Sequence, residues 1–200
     1  MEEMNFLILG VGGQGTILAG DVLSEAGMIA GYDVKKSDIL GLAIRSGSVT
    51  SFVRWGKRVF SPVASKNSID YLLAFEPLES LRMLEFLKPS ATVILNEYKI
   101  PPVTVSTGQM KYPSQEEILH YLEQNSSRII RTNATLKSQE LGSVKVLNIY
   151  MVGILASLLP LDSTVWTHAI QKFAPPKFLE LNLKAFEKGY QEAKTRHASV

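Results

Sequence analysis

An α/β fold, a mostly parallel sheet flanked by helices, is predicted by three features of this 200-residue sequence. Short apolar runs alternate with stretches that place apolar residues every three to four positions, the order that builds parallel strands joined by helical crossovers. The first run, Phe6 to Leu9, leads into a bare glycine turn and then into the periodic series Ile17, Leu18, Val22, Leu23, Ala26 and Met28. From Val146 onward only helical patterns remain. Together they predict a Rossmann-like sheet with an added β-hairpin and a helical C-terminal part. No internal repeat, low-complexity linker or composition break divides the chain, so residues 1–200 are read as one domain.

The glycine turn carries the first candidate site. Gly10, Gly12 and Gly15 have the spacing G-x-G-x-x-G between a strand and a helix, the context that a dinucleotide-type turn requires. Glycine tolerates backbone angles that other residues avoid and lets the main chain approach another group closely. The first N–H groups of the following helix face outward with the positive end of its dipole. Gly10, Gly12, Gly13, Gln14, Gly15 and Thr16 are therefore candidates for holding a phosphate or diphosphate. The alternative is a tight strand-to-helix turn that holds no ligand. Gln14 serves either reading, since its amide can bond a ligand or close the loop on itself.

The remaining elements follow in order. Gly31 suits the end of the first helix, and Val34 to Ser37 reads as a short strand. Asp38 stands near the place where a nicotinamide enzyme puts a ribose-binding acid, and surface charge is the plainer reading. Between Gly41 and Ser48 the chain turns from apolar to Arg45-Ser46-Gly47-Ser48. Arg45 there can clamp a phosphate or carboxylate, or pair with an acid or a second subunit. Ser48 to Trp55 alternates like a strand, and Gly56-Lys57 then predicts a hairpin back through Arg58 to Phe60. Trp55 and Phe60 read as packing residues. Ser68 to Phe75 is a central strand, and Leu78 to Leu87 a helix opened by Pro77. Ala91 to Asn96 is another buried strand, and Ile100 to Ser106 a proline-led edge strand. Ser114 with Glu117 opens a helix running to about Gln124. Arg128 to Thr132 is a strand and Ala134 to Leu141 a helix. A buried helix starts at Val146, another runs from a Ser163 cap to Phe173, and the last from about Lys177 to Lys194.

Composition narrows the chemistry. Twenty-one basic against nineteen acidic residues leave no excess to neutralise nucleic acid. There is no cysteine, so disulfides, thiolate zinc sites and cysteine-held iron–sulfur clusters are excluded for this chain. The three histidines, His120, His168 and His197, lack metal-ligand spacing, and no metal site is predicted. Neither a signal peptide nor a membrane-spanning run is present, which predicts a cytoplasmic protein without membrane contact. No Ser-His-Asp order or nucleophile turn occurs. Glu76, Asp38 and Glu97 stand at strand ends but nothing pairs them, so no catalytic residue is assigned. A glycine turn and an arginine turn without a reactive side chain describe a chain that shapes a site while another subunit reacts.

Five segments in order resemble one family. They are Gly10 to Gly15, Gly41 to Val49 with Arg45-Ser46-Gly47-Ser48, Ala74 to Glu79, Ile100 to Val103, and Pro175-Pro176-Lys177 with Asn182. The chain resembles the gamma-type domain of 2-oxoacid:ferredoxin oxidoreductases, nearest to the beta subunits that serve indolepyruvate. The resemblance implies a holoenzyme that decarboxylates a 2-oxoacid on thiamine diphosphate with magnesium. Electrons would pass through iron–sulfur clusters to ferredoxin, with an acyl-coenzyme A as product. It implies that those cofactors belong to a larger partner subunit. The glycine turn and the Arg45 turn would then face the active site or the coenzyme A channel. Relatives carry glutamine before the arginine and glycine after it, whereas this chain has Ile44 and Ser46. An amide becomes a hydrocarbon there, which bears on the identity of the 2-oxoacid.

Overall fold

The computed structural model describes residues 2–41 and 47–197. Six strands form one sheet: β1 (Met4–Val11), β2 (Asp33–Leu40), β3 (Ser48–Gly56), β4 (Ile69–Ala74), β5 (Leu87–Asn96) and β6 (Arg128–Thr132). Their order is β2-β3-β1-β4-β5-β6. β1, β4, β5 and β6 pair in parallel, while β3 is antiparallel to both β1 and β2. Five strands therefore run one way and β3 runs against them, a mostly parallel sheet with an inserted hairpin.

The helices are α1 (Thr16–Ile29), α2 (Pro77–Ser80), α3 (Val103–Ser106), α4 (Gln115–Asn125), α5 (Ala134–Glu140), α6 (Leu147–Ala156), α7 (Ser163–Phe173) and α8 (Leu179–His197). They cover both faces of the sheet. Phe6 and Ile8 of β1 point into the layer made with α1, α6, α7 and α8, while Leu7 and Leu9 point into the layer with α4. A strand buried on both faces must be apolar at every position, which is why Phe6 to Leu9 shows no alternation. All ten residues of α6 are buried. Among the described residues no helix is long and apolar enough to cross a membrane.

Local signals place several boundaries. Gly31 has φ 86° and its N–H reaches the Met28 carbonyl at 3.0 Å, while the Tyr32 N–H reaches Gly27 at 3.0 Å, closing the end of α1. Ser114 and Glu117 form a reciprocal capping box at the start of α4.

Five expectations are corrected. The added hairpin is β2 with β3, and residues 58–60 form no strand. β3 has β1 on one edge and β2 on the other, so no edge is left for them. The Val59 N–H goes instead to Asp33 Oδ2 at 2.8 Å. Trp55 is fully buried, but Phe60 is exposed and lies under the Arg58 guanidinium. The helix expected over 78–87 is the short α2 followed by a 3-10 turn, Leu81–Phe86, broken at Met83. Asn67 and Ser68 donate to the Glu85 and Phe86 carbonyls, which draws the chain into β5 at Leu87. Residues 100–106 form no edge strand, and it is β6 that lies on the outer side of β5. Val103–Ser106 is the single-turn helix α3 behind Pro102. Finally, Asp162 rather than Ser163 caps α7, accepting the Thr164 N–H at 2.8 Å.

Candidate functional site

The glycine turn opens onto a cleft of about 530 Å³ at the carboxyl end of β1. One wall is Gly12, Gly13, Gly15, Thr16 and Ile17. The other is the mouth of the β2–β3 hairpin, with Leu40 and Gly41 on one strand and Gly47, Ser48 and Val49 on the other. None of the described lining residues titrates. The described lining offers backbone groups, the Ser48 hydroxyl and apolar walls to a ligand, and none of its side chains donates or removes a proton at physiological pH.

The turn is fixed from beneath. The Gln14 side chain accepts the Val11 N–H at 2.8 Å and donates to the Phe75 carbonyl at 2.9 Å. Gln14 thus closes the loop onto β1 and β4. Gly10 leaves room for this, since a Cβ there would stand 2.9 Å from Gln14 Oε1 and 2.8 Å from Thr16 Oγ1. The Gly12 N–H bonds the Gly47 carbonyl at 2.9 Å, joining turn and hairpin, and the Gly41 N–H bonds Ser48 at 2.8 Å. Gly15 precedes α1 with φ 79° and no side chain caps that helix end, so the first-turn N–H groups are not satisfied by a capping side chain.

Gly10 to Thr16 and Gly47 to Ser48 therefore come together as a single feature. Arg45 and Ser46 lie outside the described residues. Asn148 of α6 was missed by sequence reasoning. It is 1% exposed and donates Nδ2 to the Gly15 carbonyl at 3.2 Å. Its only sequence signal is a polar residue in the apolar run from Val146.

The strand-end acids are all occupied structurally. Asp38 pairs with Lys36 at 2.7 Å, and Lys36 also holds Asp21 at 2.7 Å. A ribose-binding acid belongs on the strand beside β1, and the antiparallel β3 occupies that place. Glu76, 1% exposed, caps α2 through the Glu79 N–H and accepts the Ile100 N–H at 3.0 Å and the Tyr112 hydroxyl at 2.6 Å. Burial, followed by that carboxylate, holds the Tyr112 hydroxyl well above the ordinary tyrosine range. Glu97 is paired with Arg131. Among the described residues no group of three or more His, Asp or Glu side chains converges as a metal site.

Gln14→Leu checks that the closed turn is stabilising. It strands the buried Val11 N–H, and an unanswered buried group costs about 1–3 kcal/mol. For a chain of this size that is a drop of ~2–12 °C in Tm by calorimetry. An unchanged Tm would show that Gln14 does not hold the loop.

Comparison with known proteins places the chain in a family. Residues 5–192 match the family described as pyruvate ferredoxin/flavodoxin oxidoreductase. The indolepyruvate oxidoreductase subunit IorB of Pyrococcus horikoshii is 36% identical over 197 residues, covering 97% of this chain and 98% of that one. The keto/oxoacid ferredoxin oxidoreductase gamma subunit of Geobacter sulfurreducens has a similar fold, with a TM-score of 0.71 at 23% identity over 96% of this chain and 99% of that one. The 2-oxoglutarate:ferredoxin oxidoreductase of Magnetococcus marinus aligns with a TM-score of 0.74 at 19% identity. There 98% of this chain corresponds to 32% of the longer chain. With a family match across almost its whole length and a full-length relative above 30% identity, the chain belongs to the pyruvate ferredoxin/flavodoxin oxidoreductase family.

Proposed function

We propose that this chain is the thiamine-free subunit of an indolepyruvate or similar aryl-pyruvate:ferredoxin oxidoreductase. The family match makes it a subunit of a 2-oxoacid:ferredoxin oxidoreductase. The aryl pyruvate is inferred from the near full-length likeness to an indolepyruvate oxidoreductase subunit, the observation that carries the reading. Thiamine diphosphate with magnesium, when bound by the larger partner, supplies the carbanion chemistry of decarboxylation. Iron–sulfur clusters carry the electrons to ferredoxin, and in a chain without cysteine they fall to that partner too. Coenzyme A takes the acyl group.

This chain, acting as one domain, contributes shape. The described lining of its cleft offers backbone N–H groups, a hydroxyl and apolar walls and no proton carrier, which suits a surface completing a reaction centre built elsewhere. Gly10, Gly12, Gly13, Gln14, Gly15 and Thr16 form the turn. Gly47 and Ser48 face that turn, and Arg45 and Ser46, which precede them in the sequence and lie outside the described residues, belong to the proposed site by sequence alone, Arg45 as its cation.

Tagged chain drawn from its native host is expected to bring down a larger, cysteine-rich subunit. That complex should reduce ferredoxin with indolepyruvate and coenzyme A, whereas the purified chain should not. Recovery without such a subunit, or turnover by the chain alone at the rate of the complex, overturns the proposal.

A further inference from the structure

We infer that Asn148 is a positioning residue for the glycine turn: its amide sets the direction of the Thr16 N–H at the floor of the cleft. The inference rests on the proposed role of that cleft. The Gly15 carbonyl and the Thr16 N–H belong to one planar trans peptide, so whatever holds the first aims the second in the opposite direction. Gly15 has a left-handed backbone and no side chain caps the helix it precedes, so its own residue does little to fix that plane. Two groups hold its carbonyl: the Ala19 N–H at 3.0 Å and Asn148 Nδ2 at 3.2 Å. The first is the ordinary helical bond. The second comes from 133 residues away, on a helix packed across α1.

The contact is built on both sides. Gly15 must lack a side chain to admit Asn148, because a Cβ there would stand 2.5 Å from Nδ2. Asn148 Oδ1 is buried with no hydrogen-bond partner. A buried acceptor without a donor is destabilising, and a leucine would suit the apolar α6 better if packing were the only demand. Thr16, 2% exposed, borders the cleft beside Gly15 and Ile17.

The assembled enzyme carrying Asn148→Ala is the test, with Asn182→Ala as the matched control. Asn182 is also buried on a helix, with Nδ2 bonded at 2.9 Å and Oδ1 unpartnered, but it is not among the residues that line the glycine cleft and borders a separate pocket. With Asn148→Ala, KM for indolepyruvate or for coenzyme A is expected to rise by about fivefold or more with kcat little changed. Asn182→Ala should lower Tm without that rise. In the full chain alone, hydrogen exchange at Gly13 to Thr16 should quicken by about tenfold while β4 and β5 amides stay as they were. Should Asn148→Ala fail to assemble, Asn148→Leu keeps about the size and removes the donor, and the exchange measurement decides. Both KM values changing less than about fivefold, or exchange quickening equally everywhere, overturns the inference. If Gly13→Leu also leaves turnover intact, the cleft reading itself has failed. If Gly13→Leu inactivates while Asn148→Ala is silent, only the role of Asn148 has failed.

Discussion

Gly189→Val is expected to deprive the chain of its fold. α6 and α8 cross so closely that a Cβ at Gly189 would stand 2.0 Å from the Tyr150 carbonyl oxygen and 3.3 Å from the Ile154 nitrogen. The contact is reciprocal, because a Cβ at Gly153 would stand 2.2 Å from the Phe186 carbonyl oxygen. These neighbours are backbone, so no rotamer change relieves the clash and the helices must separate. α6 is buried at every residue and joins α8 in the larger core layer, so separation opens that layer along its length. Overpacking in a core usually costs about 1–3 kcal/mol and more where nothing can shift. Here we expect at least ~4 kcal/mol, against a total stability of ~5–15 kcal/mol. Insoluble protein, or a Tm lower by at least ~8 °C, is the expected readout. Gly142→Ala is the contrast: φ is 116°, yet nothing lies within 4 Å, so only the left-handed strain of ~1–2 kcal/mol applies. A Gly189→Val protein as stable as Gly142→Ala would mean that the helices do not meet at this crossing.

How much of this was legible depends on whether the governing contact is local. The apolar run of β1, the glycine spacing, Gly31 at the end of α1 and the Ser114–Glu117 capping box are all set by residues within a turn of one another. Each is visible in the sequence. The hairpin partner of β3 was decided by which sheet edges were already taken. That is a non-local fact, and the local turn signal at Gly56-Lys57 pointed elsewhere. The Gln14 amide was legible only as a ligand contact or a loop closer, with the two left open, and its reach to the Phe75 carbonyl, 61 residues on, was not legible. Asn148 was hidden for the same reason, with its partner 133 residues away. Gly153 and Gly189 looked like ordinary helix interiors, since only the crossing of two helices gives them a purpose. Asp38 is the converse case, where the plainer reading as a surface charge stands. Its distance from the glycines suited a ribose-binding acid, but the inserted β3 separates its strand from β1.

Gly13→Leu should abolish turnover of the assembled enzyme while leaving this chain folded. Gly13 lines the cleft with φ 99°, and a Cβ built on it meets no atom within 4 Å. A leucine there strains the backbone by about 1–2 kcal/mol, a few degrees of Tm in a chain of this size. It enters space that the protein itself does not fill. If that space is where the partner's reaction centre and its substrates are accommodated, the side chain excludes them. We expect kcat/KM to fall by at least ~100-fold, about 2.7 kcal/mol of lost transition-state binding. Gly108→Leu supplies the comparison, since it combines φ 75° with an equally open surround away from the glycine cleft. It should cost similar stability and little activity. The difference between the two variants isolates occupancy of the cleft from backbone strain. Equal, mild losses in both would mean that the glycine turn is only a sharp connection between β1 and α1. The shaping of the reaction centre would then have to come from another surface of this subunit.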